Sequence, residues 1–249
     1  MLKKVLRPIY YFLWNLYLIF MNSLFAKKNK DVKDIPIFIN NRNRLTTLRM
    51  LIDSLEKRGL FNIHIIDNDS SYPPLLEYYK TTKYKIHFLQ ENIGYLSIWK
   101  RKEFKKYMSG FYVYTDSDVV IDEKCPDDFL EVFYKVLKSN LLLMKIGFSL
   151  RIDNLPDCYN LKKDVLEWEK QHYENLTKDG NYFITSIDTT FALYRPFATG
   201  GASRLLMYRS KAPYTALHMP WYNDSDNLSE EEKYYLKNSK TSTHWTKMN

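Results

Sequence analysis

Cysteine is nearly absent: Cys125 and Cys158 are the only two in 249 residues. Two cysteines build neither a disulfide framework nor a cysteine-based zinc site, and such sparse use fits a reducing compartment. Glycine is also scarce, at seven residues. The loop after the first apolar run is Asn40-Asn41-Arg42-Asn43, with no glycine where a triphosphate-binding loop would need it. Acid is missing from residues 1–30, which hold Lys3, Lys4, Arg7, Lys27, Lys28 and Lys30. The net charge of +8 therefore sits mostly at that end, leaving +2 on the rest. A basic footprint spread over a folded domain is not supported, so no nucleic-acid partner is expected.

Long uninterrupted apolar runs are lacking as well. Ile9 to Phe25 is free of charge but is broken by Asn15, Asn22 and Ser23. A spanning helix needs about 20 predominantly apolar residues, which makes this stretch marginal. No small-residue cleavage site follows it, which argues against a secretory signal. Basic flanks around Tyr10, Tyr11, Trp14 and Tyr17 fit a helix lying in the interface of an anionic membrane. A spanning helix and a helix packed on the domain, or on a second subunit, are the alternatives. The chain thus divides into a membrane-contacting segment, residues 1–30 (surface contact through residues 1–26), and one folded domain, residues 31–249.

What is present in that domain is alternation. Ile35 to Ile39, Ile63 to Ile66 and Ile86 to Leu89 are short apolar runs that end in polar loops. Between the first two, Leu45, Leu48, Leu51, Ile52 and Leu55 recur at helical spacing, with Asn43 placed as an N-cap and Gly59 as the stop. Pro73 and Pro74 open a second helix, and Trp99 to Tyr107 reads as a basic third one. Strands alternating with helices predict an α/β fold with a mostly parallel sheet flanked by helices, in which ligands bind beyond the carboxyl ends of the strands.

The fourth strand, Phe111 to Thr115, delivers Asp116-Ser117-Asp118, and a second apolar run, Val119 to Ile121, follows. Two carboxylates at the end of a buried strand call for a neutraliser, and a divalent cation that also bridges phosphates is a good one. By itself Asp-Ser-Asp is equally a turn.

Four pieces in order, IPIFINNRNR, IHIIDNDSS, LQENIGY and YTDSDVVI, resemble the nucleotide-sugar-binding half of GT-A glycosyltransferases, especially the family 2-like bacterial enzymes. The resemblance covers Ile35 to Ile121 and extends more loosely beyond. It implies a Rossmann-like GT-A fold, with residues 31–122 as the donor half and 123–249 as the acceptor half. It also implies a nucleotide-sugar donor, UDP-linked by default, a saccharide or glycolipid acceptor, and Mn²⁺ or Mg²⁺. Asp67 matches the acid that binds the nucleobase. Asn92 and Gly94 match the loop near the donor. Asp116 matches the ribose ligand and Asp118 the metal ligand. The usual Asp-Asp-Gly-Ser after the second strand is here Asp67-Asn68-Asp69-Ser70, which leaves the role of Asp69 open. Arg42 reaches a phosphate or is a solvated loop charge.

In the second half, Pro126 opens a helix with the apolar face Phe129, Val132, Phe133, Val136 and Leu137, and Lys145 to Ile152 reads as one strand. A helix over Val165 to Tyr173 carries Trp168, either a sugar-stacking ring or a core residue. Asp188 is the single acid in Tyr182 to Tyr194, between apolar runs. A carboxylate so placed is expected to be desolvated, as suits a general base, and it is the best match to the base of inverting enzymes, although the family's Glu-Asp pair is absent. His218 is a further metal ligand by the resemblance, or a buried hydrogen-bonding histidine. Trp221 and Tyr222 are candidates to cover donor or acceptor, as are His244 and Trp245 at the end of the chain. Gly200-Gly201, between Arg195 and Arg204, suggests a flexible loop. The function implied is glycosyl transfer in bacterial surface-glycan synthesis, at the cytoplasmic face of the inner membrane. Its rivals are a nucleotidyltransferase, weakened by the glycine-free first loop, and a membrane-attached, non-enzymatic carbohydrate-binding protein, which would not need Asp116 or Asp118.

Overall fold

The computed structural model describes residues 2–27, 30–200 and 206–239. Lys28, Gly201, Arg204, His244 and Trp245 lie outside the described residues. The elements in order are α1 (Leu2–Phe25), β1 (Ile37–Asn41), α2 (Thr46–Glu56), β2 (Ile63–Asp67), α3 (Pro73–Thr81), β3 (Lys85–Phe88), α4 (Ser97–Lys100), β4 (Tyr112–Asp116) and β5 (Val119–Ile121). They continue with α5 (Phe129–Ser139), β6 (Leu143–Gly147), β7 (Ser149–Leu150), α6 (Lys162–Lys170), β8 (Tyr182–Ile184), β9 (Ala192–Tyr194), β10 (Leu206–Ser210), β11 (Thr215–His218) and α7 (Glu230–Asn238).

Eight strands form one sheet in the order β3-β2-β1-β4-β9-β6-β10-β8, and β5-β11-β7 form a smaller one. β3, β2, β1 and β4 are parallel, β9 runs against both its neighbours, and β10 is parallel to β6 with β8 antiparallel at the edge. The expected α/β class and mostly parallel sheet are thus present. The chain steps outward from β1 to β3, then returns to place β4 on the other side of β1. That reversal of direction opens a crevice at the strand ends, the usual ligand position in open α/β sheets.

Strand alternation sorts the core into two layers. Ile37, Ile39 and Val113 face the larger cluster, closed by Leu48, Leu51, Ile52 and Leu55 of α2 and by Phe129, Phe133 and Leu137 of α5. Phe38, Tyr112 and Tyr114 face the opposite cluster, closed by Leu18 of α1 together with Ile98, Phe104 and Met108. The next residues on that second face, Asn40 and Asp116, pair in register at the crevice.

Three local expectations need correction. Asn43 is not the N-cap of α2. It takes a left-handed φ of 55° and accepts hydrogen bonds from the backbone N–H groups of Ser71 (2.6 Å) and Tyr72 (3.0 Å), tying the β2–α3 loop to the β1 loop. The N-terminus of α2 is capped from a distance, by Glu231 of α7 accepting from the Thr46 N–H at 3.1 Å. The helix expected over Trp99 to Tyr107 is only α4 and a single 3-10 turn, Lys102–Phe104, separated by extended Arg101 at φ −101°, ψ 128°. Its apolar residues enter the core one at a time instead of forming a stripe. The strand expected over Lys145 to Ile152 breaks at Phe148, and its two parts join different sheets.

Among the described residues no helix is long and apolar enough to cross a membrane. Helix α1 packs on the domain: Leu18 is fully buried and the Asn22 side chain donates to the Pro196 carbonyl at 2.8 Å.

Candidate functional site

The crevice widens into a cavity of about 820 Å³. Asn40, Asn68, Asn92, Gly94, Asp116, Asp118, Trp168, Asp188 and His218 line it. Six of the seven residues singled out from sequence for a chemical role are therefore brought together from loops distant in the chain. The exception is Asp67. It is buried and both its oxygens are occupied: one accepts from the Ser70 N–H at 3.1 Å, the other from the Tyr79 hydroxyl at 3.0 Å. Asp67 holds the β2–α3 loop in shape and does not line the cavity. The neighbouring Asn68 does line it, and ties this loop to the next by donating to the Gly94 carbonyl (3.1 Å) and accepting from the Ile93 N–H (2.8 Å). Asn92 accepts from the Gly94 N–H at 3.0 Å, a tight Asx turn, and Gly94 at φ 79° occupies a region that side chains avoid.

Asp116 is held on both oxygens, by the Asn40 amide at 3.0 Å and by the Thr189 hydroxyl. Asn40 is held in turn by the buried Ser97 hydroxyl at 2.9 Å, which also meets Tyr114. Burial and the neighbouring Asp118 carboxylate push Asp116 up to about 8, against the pull of its two hydrogen bonds. Acids crowded so that one resists ionisation are a frequent mark of functional sites.

Asp118 lies beside His218 and Arg44. Its Oδ2 is 3.9 Å from His218 Nε2 and 3.6 Å from Arg44 Nε. Burial holds His218 below the ordinary histidine range despite the pull of Asp118, so the imidazole is neutral, the form that ligates metals. Trp221 is buried with its ring edge-on to His218, at 4.7 Å between centroids, and supports the imidazole from the cavity wall. Tyr222 is engaged elsewhere, donating to Asn154 at 2.7 Å. Among the described residues no group of three or more His, Cys, Asp or Glu side chains forms a ready cation cage. A carboxylate and a neutral imidazole on one wall are nevertheless a fitting partial set, because Mg²⁺ and Mn²⁺ sites often complete their shells with substrate phosphates and water.

Asp188 corrects an expectation of setting. It lies between apolar runs in sequence, yet the chain leaves the sheet there and the carboxylate is exposed on the 185–190 loop. Two buried cations fasten that loop from below. Lys145 Nζ donates to the Ile187 carbonyl at 2.7 Å and to the Tyr194 hydroxyl at 3.1 Å. Arg209 Nε donates to the Ser186 carbonyl at 2.9 Å, while its Nη1 pairs with buried Glu169 at 2.8 Å. Burial draws Lys145 down to about 8. Trp168 is half buried, as its core alternative anticipates, and its exposed part lies on the cavity wall.

The principal residue that sequence reasoning missed is Arg44. It is almost wholly buried, forms two bonds to Glu232 (2.6 and 3.1 Å), and lies 3.9 Å from the Tyr235 ring centre. Burial works against its charge, but Asp118 and Glu232 hold it above its ordinary range. Helix α7 is thereby strapped to the cavity wall, which Tyr235 helps to line, and Arg42 adds a bond to the Asn238 carbonyl at 2.9 Å. A signal for α7 was available: Ser229-Glu230-Glu231-Glu232 has capping-box spacing, and the Ser229 hydroxyl does accept from the Glu232 N–H at 3.1 Å. Nothing local pairs Arg44 with a residue 188 positions away. Comparison with models of known protein families gives no match, and comparison with curated proteins gives no significant one.

Proposed function

We propose that this chain is a metal-dependent glycosyltransferase. It would move a sugar from a nucleoside diphosphate, UDP by preference, to a hydroxyl of a saccharide or glycolipid acceptor, with inversion. The observation that carries this reading is the convergence of Asp116, Asp118, His218 and Asp188 on one cavity at the reversal point of the sheet. A turn-forming Asp-Ser-Asp would not need a neutral imidazole and a third acid facing the same space.

In this scheme Asp118 and His218 hold the cation. A cation held there would supply charge stabilisation for the departing diphosphate. Asp116, fixed by Asn40 and Thr189, accepts from the ribose hydroxyls. Asp188 takes the proton from the acceptor hydroxyl as its oxygen bonds to the anomeric carbon. The bond from that carbon to the phosphate oxygen breaks, and its electron pair leaves with the nucleoside diphosphate. Exposure serves a base whose proton must reach solvent, and the two buried cations fix the height of its loop, so that the gain is one of positioning. Trp168 offers a flat apolar face to an acceptor ring.

Calorimetric titration of UDP and GDP into the purified protein, with Mn²⁺ and then with EDTA, tests this. Binding of one nucleotide that requires metal and disappears in Asp118→Ala is the expected result. A folded protein that binds neither removes the metal–diphosphate argument and leaves the carbohydrate-binding alternative.

A further inference from the structure

From Ile9 to Phe25 helix α1 carries no charge and is largely apolar on both its inner and its outer side. Its inner stripe, with Trp14, Leu18 and Asn22, packs on the domain. Its outer stripe does not. Ile9, Leu13, Leu16, Phe20 and Leu24 recur at helical spacing and are each about half exposed or more, with Phe12 and Tyr17 beside them. A helix apolar all round belongs in an apolar surround on both sides, and a continuous exposed patch of this kind marks an interaction surface.

The neighbouring surface is basic. The irregular segment after α4 sends Phe104 and Met108 into the same core layer as Leu18. Its Lys102, Lys105 and Lys106 stay exposed. The Lys27 N–H donates to the Ser109 carbonyl at 2.8 Å, so the end of α1 and this lysine-rich turn meet. In sequence, residues 1–30 carry six basic residues and no acid.

We infer that the outer stripe of α1 and the Lys102–Lys106 turn form one docking surface for an anionic phospholipid bilayer, with the helix lying in the interface plane. Charge complementarity selects this occupant over a second copy of the chain: two such surfaces face to face would oppose like charges, whereas acidic headgroups neutralise them. The lysine turn was not part of the membrane expectation from sequence, where it read as part of a basic helix over Trp99 to Tyr107. The surface is also joined to the cavity. Trp99, Met144, Ile187, Tyr194, Ala198 and Met207 belong to the core layer that seats α1, and they also line the cavity. Docking would thus set the cavity beside the membrane. The docking claim does not depend on the glycosyltransferase reading.

Co-sedimentation of the full chain with vesicles tests it. One set is pure phosphatidylcholine and the other an equal mixture with phosphatidylglycerol. Binding is expected to the mixed vesicles, to weaken with added salt, and to be much poorer with phosphatidylcholine alone. Each lysine near an anionic surface is worth about fivefold in affinity, so the triple variant Lys102→Gln, Lys105→Gln, Lys106→Gln should lose more than tenfold. Phe12→Ser with Leu13→Ser and Phe20→Ser should lose binding to both vesicle types. These positions are exposed, and unchanged thermal unfolding would show that the fold is kept. Wild-type affinity in the lysine variant overturns the proposal. So does a chain that ignores both vesicles while forming a dimer that the serine variant cannot form.

Discussion

The two walls of the cavity are made differently. On one, the register of a parallel strand with β1 places Asp116, and Asp118 follows in the short turn between β4 and β5. On the other, Asp188 sits on a loop with no regular structure, and its position depends on Lys145, Arg209 and Glu169, which arrive from β6, β10 and α6. The first wall is local chemistry on a rigid edge. The second is a long-range construction in which buried charge replaces hydrogen-bonded ladder.

The largest expected effect falls on the first wall. Asp118→Ala should abolish metal-dependent nucleotide binding, a loss of at least about 100-fold. Unfolding should change little, because relief of the crowding on Asp116 is offset by the loss of the carboxylate beside buried Arg44. Titration calorimetry and thermal unfolding on the same sample separate the two effects. A variant that binds as tightly as the parent would place the cation elsewhere.

On the second wall the same kind of change should act on stability. Arg209→Met leaves Glu169 buried without its partner and should cost about 3–5 kcal/mol. Burial already holds Glu169 above the ordinary carboxylate range even with Arg209 present. The double change Arg209→Met with Glu169→Met removes both charges and should recover most of that loss by urea denaturation. If the single and double variants are equally destabilised, the bond from Arg209 to the Ser186 carbonyl matters more than the ion pair.

This contrast also decides how much could be read from sequence. Apolar runs ending in polar loops gave β1, β2, β3 and β4, and the two acids after β4 fell at the crevice, because strand direction and burial are local properties. Arg44 with Glu232, Lys145 under Ile187, and Arg209 with Glu169 join residues 40 or more positions apart. Lone basic residues in a sequence look like solvated surface until the fold buries them. At Asp67 the strand-end position was legible, but the bonds that Ser70 and Tyr79 make to its two oxygens were not.

Beneath the donor half, on the layer that seats α1, His64 and His87 stack with centroids 5.4 Å apart and a nitrogen–nitrogen distance of 3.1 Å. Burial, aided for His64 by His87 itself and for both by nearby lysines, draws each down to about 4. The unfolded chain takes up these protons near pH 6.5, whereas the folded one resists until about pH 4. Their contribution to stability is therefore complete above pH 6.5 and is lost as the pH falls toward 4. Melting temperatures across that window should decline in the parent and decline less in His64→Phe with His87→Phe. Parallel declines would place the acid sensitivity in other groups, and not in Asp116 or Glu169, whose raised carboxyls favour the folded state as the pH falls.

The smallest expected effect lies at Asn43, and it asks whether the donor wall depends on local turns as well as on strand register. The Asn43 carbonyl oxygen accepts two backbone N–H groups of the β2–α3 loop, and its φ of 55° is one that alanine resists. Asn43→Ala removes both bonds and adds backbone strain, about 2 kcal/mol together. Asn43→Gly removes the same bonds but not the conformation, and should be milder by about 1 kcal/mol. Equal losses in urea denaturation would mean that the two bonds, not the left-handed turn, hold the loops together. A loss in neither would mean that Asn68 and Asp67, which bind the same loop from its other side, are enough to keep the wall in place.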